Sequence, residues 1–360
     1  MTGLFEELDR LPQGETQVAM ATLVATRGTS PRREGAKMWV GDSGRIVGSV
    51  TIGGCVDARV IEAADAALRT HAPRLLTVEL GDEDAQEMGL TCAGAVDVLV
   101  EPMRLDDPAD PVAGLYAHAR AHAATGGRAV VITPLRPGAG KLVAFDDGRL
   151  RGELKLPDPE RCLREARSLL RRGTPRTLEL PVGGGETAPI YFEVHAPPLH
   201  LVLFGAGHVA QALVRFARAL GMRTTVVDAR ERYANRTAFP EADEIRVAIP
   251  SEVAAQLPLG RSLVAVLVAH DYKYDLPVLR ELLRGDAAYI GMLGSRRRGE
   301  TLLQMLAEEG LRPEQLEQVH VPVGLDIGAE SAAELAISIL AEVLAERAGR
   351  PGGSMRLRGL

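Results

Sequence analysis

The stretch that says most about chemistry is Leu203-Phe204-Gly205-Ala206-Gly207-His208-Val209-Ala210, where an apolar run ends in two glycines and a helical pattern begins. It is a G-x-G-x-x-A fingerprint, and Asp228 closes the next apolar run about 20 residues on, where a ribose-binding acid belongs. Gly205 and Gly207 permit a tight turn and a close approach to phosphate, with helix N–H groups as donors. The ligand this suggests is NAD(P) or another nucleotide, although domains of this shape also bind other molecules or none. His208, at the mouth of the turn, is either an ordinary helix-start residue or a ligand contact.

A second signal is Ile290-Gly291-Met292-Leu293-Gly294-Ser295-Arg296-Arg297-Arg298. Positive charge at a helix N-terminus opposes the macrodipole, at about 0.3–1 kcal/mol per exposed charge. Ser295, Arg296 and Arg297, beside free N–H groups at the end of a strand, therefore read as an anion site; the competing reading is solvated side chains. The third signal is Gly53-Gly54-Cys55, a thiol at a helix start, the setting that lowers a thiol pKa. Cys92 lies in a loop of small residues, whereas Cys162, with Ala166 and Leu169 at helical spacing, reads as core. His270-Asp271-Tyr272-Lys273 follows a strand and offers His270 as a ligand contact, without the Tyr-x-x-x-Lys spacing of a short-chain dehydrogenase.

These residues need elements to hold them. After Pro197-Pro198 the pattern is strand, glycine turn, helix, repeated: strands at His200–Phe204, Thr224–Asp228, Ser262–Ala269 and Ala288–Met292 alternate with helical runs. Alternation of this kind predicts a Rossmann-like, doubly wound parallel sheet. The first half reads as an α/β domain built from two copies of one unit, residues 18–101 and 129–194, with Lys37 matching Lys141 and Gly44 matching Gly148 at one offset. Copy two lacks counterparts of Cys55, Cys92 and the Thr29–Arg32 loop, so copy one is expected to hold the site. The expected domains are residues 1–198 and 199–347, followed by a flexible tail, 348–360.

The 360-residue composition excludes several classes. Forty-two basic against 48 acidic residues leave a net charge of −6, which argues against a nucleic-acid binder. No apolar run approaches the roughly 18 residues of a membrane span, and the acidic start is not a signal peptide. Three cysteines without a CxxC suit a reducing cytoplasm, and scattered histidines do not suggest a closed zinc site.

Together the motifs resemble the XdhC/CoxI family, accessory proteins of xanthine dehydrogenase and related molybdenum hydroxylases. The resemblance is carried by Thr29-Ser30-Pro31-Arg32 with Gly35-Ala36-Lys37-Met38, Ile52-Gly53-Gly54-Cys55-Val56, and Gly89-Leu90-Thr91-Cys92. In the second half it is carried by the Gly205–His208 turn, Val227-Asp228-Ala229-Arg230, His270-Asp271, Gly294-Ser295-Arg296-Arg297 and Gly324-Leu325-Asp326-Ile327-Gly328. It covers about residues 15–105 and 199–345; Ala93-Gly94 after Cys92 stands where the family has two glycines. The resemblance implies a chaperone-like insertion factor rather than a stand-alone enzyme. It would bind molybdenum cofactor (molybdopterin), shield it during sulfuration, and hand it to an apo molybdenum hydroxylase. A cysteine desulfurase would be a second partner, and a homodimer is expected. Arg32, Lys37, Gly53, Gly54, Cys55 and Cys92 would serve the cofactor in the first domain. Gly205, Gly207, His208, Asp228, His270, Ser295, Arg296 and Arg297 would do so in the second. Two rivals remain open. A nicotinamide-dependent oxidoreductase would need an acid–base pair in the first domain, and none stands out. A nucleotide-binding regulatory module leaves Cys55 and Cys92 idle.

Overall fold

In the computed structural model, residues 15–28, 33–51, 55–80, 94–172, 174–269 and 272–354 are described. The chain forms two compact units, Met1–Pro197 and Pro198–Leu360.

In the first unit, strands β1 (Gln17–Gly28), β2 (Lys37–Gly41) and β3 (Ile46–Gly48) precede helix α1 (Cys55–Thr70) and strands β4 (Arg74–Leu80) and β5 (Gly94–Arg104). They form an antiparallel sheet in the order β3-β2-β1-β5-β4. The second copy has β6 (Ala129–Pro134), β7 (Gly140–Phe145), β8 (Leu150–Leu154), helix α3 (Glu160–Arg172), β9 (Arg176–Gly183) and β10 (Glu186–His195). Its order, β8-β7-β6-β10-β9, is the same arrangement. The turn glycines correspond as well: Gly44 at φ +81° and Gly148 at +86° each take the left-handed conformation after a strand.

Strand alternation gives each sheet two unlike faces. On one face of β1, Ala19, Ala21 and Leu23 pack with Val56, Val60, Ala64 and Ala67, the inward stripe of α1. On one face of β6, Val130 and Ile132 pack with Cys162, Ala166 and Leu169 of α3. The opposite faces share a core of their own: Val18, Met20, Trp39 and Met103 from copy one with Ala129, Val131, Val143 and Phe145 from copy two. A large apolar side chain taken out of water contributes about 1.5–3 kcal/mol, so this core is the main bond between the copies.

Helix α2 (Pro111–Ala124) links the copies and adds Tyr116 and Ala119 to that core. Nothing in the periodicity announced it, because it buries only those two residues. Its start is nonetheless well marked: Pro111 sits in the first turn and the Asp110 carboxylate accepts the N–H groups of Val112 and Ala113.

The second unit is a six-stranded parallel sheet in the order β13-β12-β11-β14-β15-β16. Its strands are β11 (His200–Phe204), β12 (Arg223–Asp228), β13 (Glu244–Val247), β14 (Leu263–Leu267), β15 (Tyr289–Met292) and β16 (Val319–His320). Helices α4 (His208–Ala219) and α9 (Ala332–Arg347) cover one face, and α9 starts with the capping box Ser331/Glu334. The other face is covered by α5 (Pro250–Ala254), α6 (Tyr272–Leu282) and α7 (Arg296–Glu308); α8 (Pro313–Leu316) precedes β16. This is the doubly wound sheet that the alternation of strands and helices implied. The strand order reverses between β11 and β14, and open sheets of this kind bind ligands beyond the carboxyl ends of strands at such a point. No helix among the described residues is long and apolar enough to cross a membrane.

Candidate functional site

The glycine turn sits at that reversal. Gly205 has φ +114°, and a Cβ there would lie 2.8 Å from the Ala269 nitrogen, so only glycine lets the segment after β14 come this close. Gly207 caps α4 without any side-chain hydrogen bond, and a Cβ on it would meet nothing within 4 Å. The first turn of α4 thus keeps N–H donors beside open space, and His208 stands exposed at its first position.

Asp228 is buried beneath the turn. Its carboxylate accepts the N–H of Ala206 at 3.0 Å and that of Arg230 at 3.0 Å. It also accepts Nε and Nη2 of Arg230, both at 2.9 Å. Burial would raise its pKa, but the bonds from Arg230 and Ala206 together outweigh it and hold the carboxyl below its usual range. A carboxylate offers about four acceptor positions. All are occupied within the chain, so a ribose could bind Asp228 only by displacing Arg230.

Beyond β15, Ser295 caps α7 through a hydrogen bond from the Arg298 N–H at 3.3 Å. The three arginines then part ways. Arg298 pairs with the buried Asp275 of α6. Arg296 and Arg297 are exposed and make no ion pair among the described residues. β14 lies between β11 and β15, so the two turns end two strand spacings apart, roughly 10 Å.

In the first unit Cys55 opens α1. Asp57, in the same first turn, accepts Ser49 Oγ at 2.7 Å and Thr51 Oγ1 at 2.9 Å, which anchors the helix start to the preceding loop. Arg32, Gly53, Gly54, Cys92 and His270 lie outside the described residues. Cys162 is buried in the α3 core as a free thiol.

Lys37 does not reach solvent. Its ammonium donates to Thr22 Oγ1 at 2.8 Å and Glu193 Oε2 at 3.0 Å, and it lies 5.3 Å from the Tyr116 ring centre. Glu193 also takes the Tyr116 hydroxyl at 3.1 Å and faces His195 at 3.2 Å. Burial works against ionised Glu193, yet Lys37 and His195 prevail and hold its pKa far below the ordinary carboxylate range. For Lys37 burial is the larger influence and lowers its pKa, with Glu193 working the other way. A second pair, Lys141 Nζ to Glu101 Oε2 at 2.6 Å, lies beside it.

The strand registers show that these two pairs are one arrangement made twice. Val18 faces Gly41 and Met103 across its neighbours, as Ala129 faces Phe145 and His195. Carried along the strands, this makes Lys37 equivalent to Lys141, Glu101 to Glu193 and Thr22 to Thr133. Each lysine reaches the glutamate of the other copy, so the ion pairs run crosswise. The sequence held a trace of this in the lysines: each is the single charge of its strand, as in Lys37-Met38-Trp39-Val40 and Lys141-Leu142-Val143-Ala144. Among these residues, only the match of Lys37 to Lys141 was anticipated.

Lys141, Glu101 and Thr133 also line a cleft of about 590 Å³. Among the described residues, no three His, Cys, Asp or Glu side chains gather as a metal site.

Two family models match the chain: the XdhC and CoxI family over residues 13–79, and the XdhC Rossmann domain over residues 201–343. This chain belongs to the XdhC/CoxI family. A relative in Bacillus subtilis, named as a probable xanthine dehydrogenase subunit, is 28% identical over 90% of this chain and 91% of its own length. The Escherichia coli molybdenum cofactor insertion chaperone PaoD is 26% identical over 85% of this chain and 76% of its own. In three dimensions the chain is similar to a xanthine dehydrogenase from Bacillus halodurans, with a TM-score of 0.75, 26% identity and 98% coverage of each chain. The XdhC and CoxI match spans Arg32, Lys37, Gly53, Gly54 and Cys55, and the Rossmann match spans every candidate of the second unit from Gly205 to Arg297. Cys92 and the whole of copy two fall between the matched stretches.

Proposed function

We propose that this protein is an accessory factor that binds molybdenum cofactor, protects it during sulfuration and delivers it to a xanthine dehydrogenase-type hydroxylase. The observation that carries the reading is the likeness to the insertion chaperone PaoD, which extends through both units. The cofactor is a pterin with an anionic phosphate, and the second unit has groups that suit such an end. Gly205 keeps backbone where a side chain would intrude, α4 starts without a side-chain cap, and Arg296 and Arg297 are unpaired cations among the described residues. Cys55 and Cys92, with Arg32, Gly53 and Gly54, are the proposed holders in the first unit; His208 and His270 are the proposed contacts in the second. The metal's redox chemistry belongs to the enzyme that receives the cofactor; the residues of this chain hold and shield it. The partners proposed are the apo-hydroxylase, a cysteine desulfurase and a second copy of the chain, in the cytoplasm.

The test is to purify the full chain from cells with intact cofactor synthesis and measure co-purifying pterin. Cys55→Ala should lose the pterin and keep its fold. Cys162→Ala should keep the pterin while losing about 1 kcal/mol of stability. Arg296→Ala or Arg297→Ala should weaken retention by about tenfold, the share of one charge-assisted hydrogen bond. Absence of pterin from the wild-type protein, or equal loss from both cysteine variants, refutes the reading.

A further inference from the structure

The geometry points to a second ligand site: the cleft of the first unit is built to bind a phosphorylated heterocycle of nucleoside monophosphate size. It stands apart from the cofactor reading, since none of the residues proposed above for the cofactor lines this cleft.

The cleft opens among β5, the start of α2 and the strands β6, β7 and β8. Its volume of about 590 Å³ lies within the roughly 300–1,000 Å³ of small-molecule sites. Three features define what it would take. The first is charge. Five lysines and arginines line it against three carboxylates, with His118 in addition. Lys141 is balanced by Glu101, and Arg136 by Glu186. The Asp110 carboxylate is turned to backbone N–H groups of Arg104, Val112 and Ala113. Arg74, Arg151 and Lys155 make no ion pair among the described residues, against one carboxylate, Glu153, that makes none either, so an anion at the rim meets an excess of free cations.

The second is the wall, which is apolar: Leu75, Leu99, Leu115, Pro134 and Leu135. Such a surface favours a flat ring over a bare inorganic anion. The third is the floor. Thr133 is 5% exposed, and its Oγ1 has no hydrogen-bond partner among the described residues. Its equivalent in copy one, Thr22, accepts a hydrogen bond from Lys37, whereas Lys141 donates to Glu101 and Tyr116. A buried hydroxyl without a partner is costly, and a polar ring edge reaching the floor would satisfy it.

The shape of the cleft is also held by backbone. A Cβ at Gly152, φ +87°, would lie 2.3 Å from the Lys141 carbonyl oxygen and 3.2 Å from Leu115, so a side chain there would force the lip apart.

Calorimetric titration of the full chain with guanosine monophosphate, guanosine and inorganic phosphate tests the proposal. Guanosine monophosphate should bind, and guanosine and phosphate should each bind at least tenfold more weakly. Arg74→Ala and Arg151→Ala, both exposed and safe for folding, should each weaken the monophosphate by about tenfold. Thr133→Val should weaken the monophosphate and guanosine alike and leave weak phosphate binding unchanged. Arg167→Ala, on the exposed face of α3, should change nothing. The proposal is overturned if the monophosphate fails to bind or binds no better than phosphate. It is equally overturned if Arg297→Ala weakens binding as much as Arg151→Ala, because the ligand would then sit in the second unit. Pterin retention is measured separately, so either reading can fail while the other stands.

Discussion

The two copies of the first unit carry the same lysine, threonine and glutamate positions and use them differently. Around Lys37 everything is closed: the side chains of Lys37 and Glu193 are 0% and 2% exposed, and Thr22 completes the ammonium's shell. Around Lys141 the same set lines a cleft, with Lys141 at 8% and Glu101 at 6%, and Thr133 is left without its bond. A buried ion pair adds little net stability, because desolvation offsets attraction. Two of them in one core therefore serve better to fix how the sheets meet than to hold them, and one can loosen without loss of the fold. That is the physical reason a cleft could arise beside one pair and not beside the other.

The sharpest way to break this contrast is to remove each glutamate. Glu193→Gln leaves the Lys37 charge buried without its carboxylate and should cost about 3–5 kcal/mol in denaturant unfolding. Glu101→Gln should cost about 1–2 kcal/mol, because Lys141 can turn toward the cleft and water. Equal costs would show that the two pairs are energetically alike and the contrast is only geometric.

Acid should separate them further. The pKa of Glu193 is depressed in the folded chain, so its stabilisation is complete above the unfolded value of about 4.3 and is lost as pH falls toward the folded value. The stability gap between wild type and Glu193→Gln should therefore shrink by about 1–2 kcal/mol between pH 5 and pH 3, as measured by urea unfolding. A gap that does not change with pH would mean that Glu193 titrates alike in the folded and unfolded chain, and one that widens as pH falls would mean that it is protonated in the folded protein.

The smallest effect concerns the threonines. Thr22→Val takes an acceptor from a buried ammonium and should cost about 1–2 kcal/mol. Thr133→Val removes a hydroxyl that has no partner and should be neutral or slightly stabilising. A comparable loss at both positions would show that Thr133 is satisfied in solution, and the floor of the cleft would then lose its main polar feature.

Much of the scaffold could be read before the structure. The strand from His200 to Phe204 and the Ser331 capping box fall where their patterns put them, because each depends on neighbours a few residues away. The repeat was visible through Lys37, Lys141, Gly44 and Gly148, and the like order of the two sheets now underlies it. What stayed hidden depends on distant partners. Glu193 lies 156 residues from Lys37, and no local period reveals that an acid flanked by apolar residues will find a lysine so far away. Asp228 was read as a ribose acid from its spacing, and Arg230, two residues on, holds its carboxylate. Copy two was read as plain scaffold because it lacks cysteines; its Thr133 and Lys141 line the cleft. Helix α2 escaped notice because it buries so little.

The crosswise pairing has a consequence for how such a molecule can change. When residue i of one partner meets residue j of the other, and j meets i, the contact has the form that a two-fold axis imposes on identical subunits. Between separate identical chains, every substitution would appear at both places at once, and a groove opened at one end of the interface would be opened at the other. With the two halves joined in a single polypeptide, that obligation disappears. Lys37 can remain sealed with Glu193 while Lys141 and Glu101 border open space. Covalent linkage thus turns a symmetric seam into two independent sites, one free to keep the halves aligned and the other free to acquire a ligand.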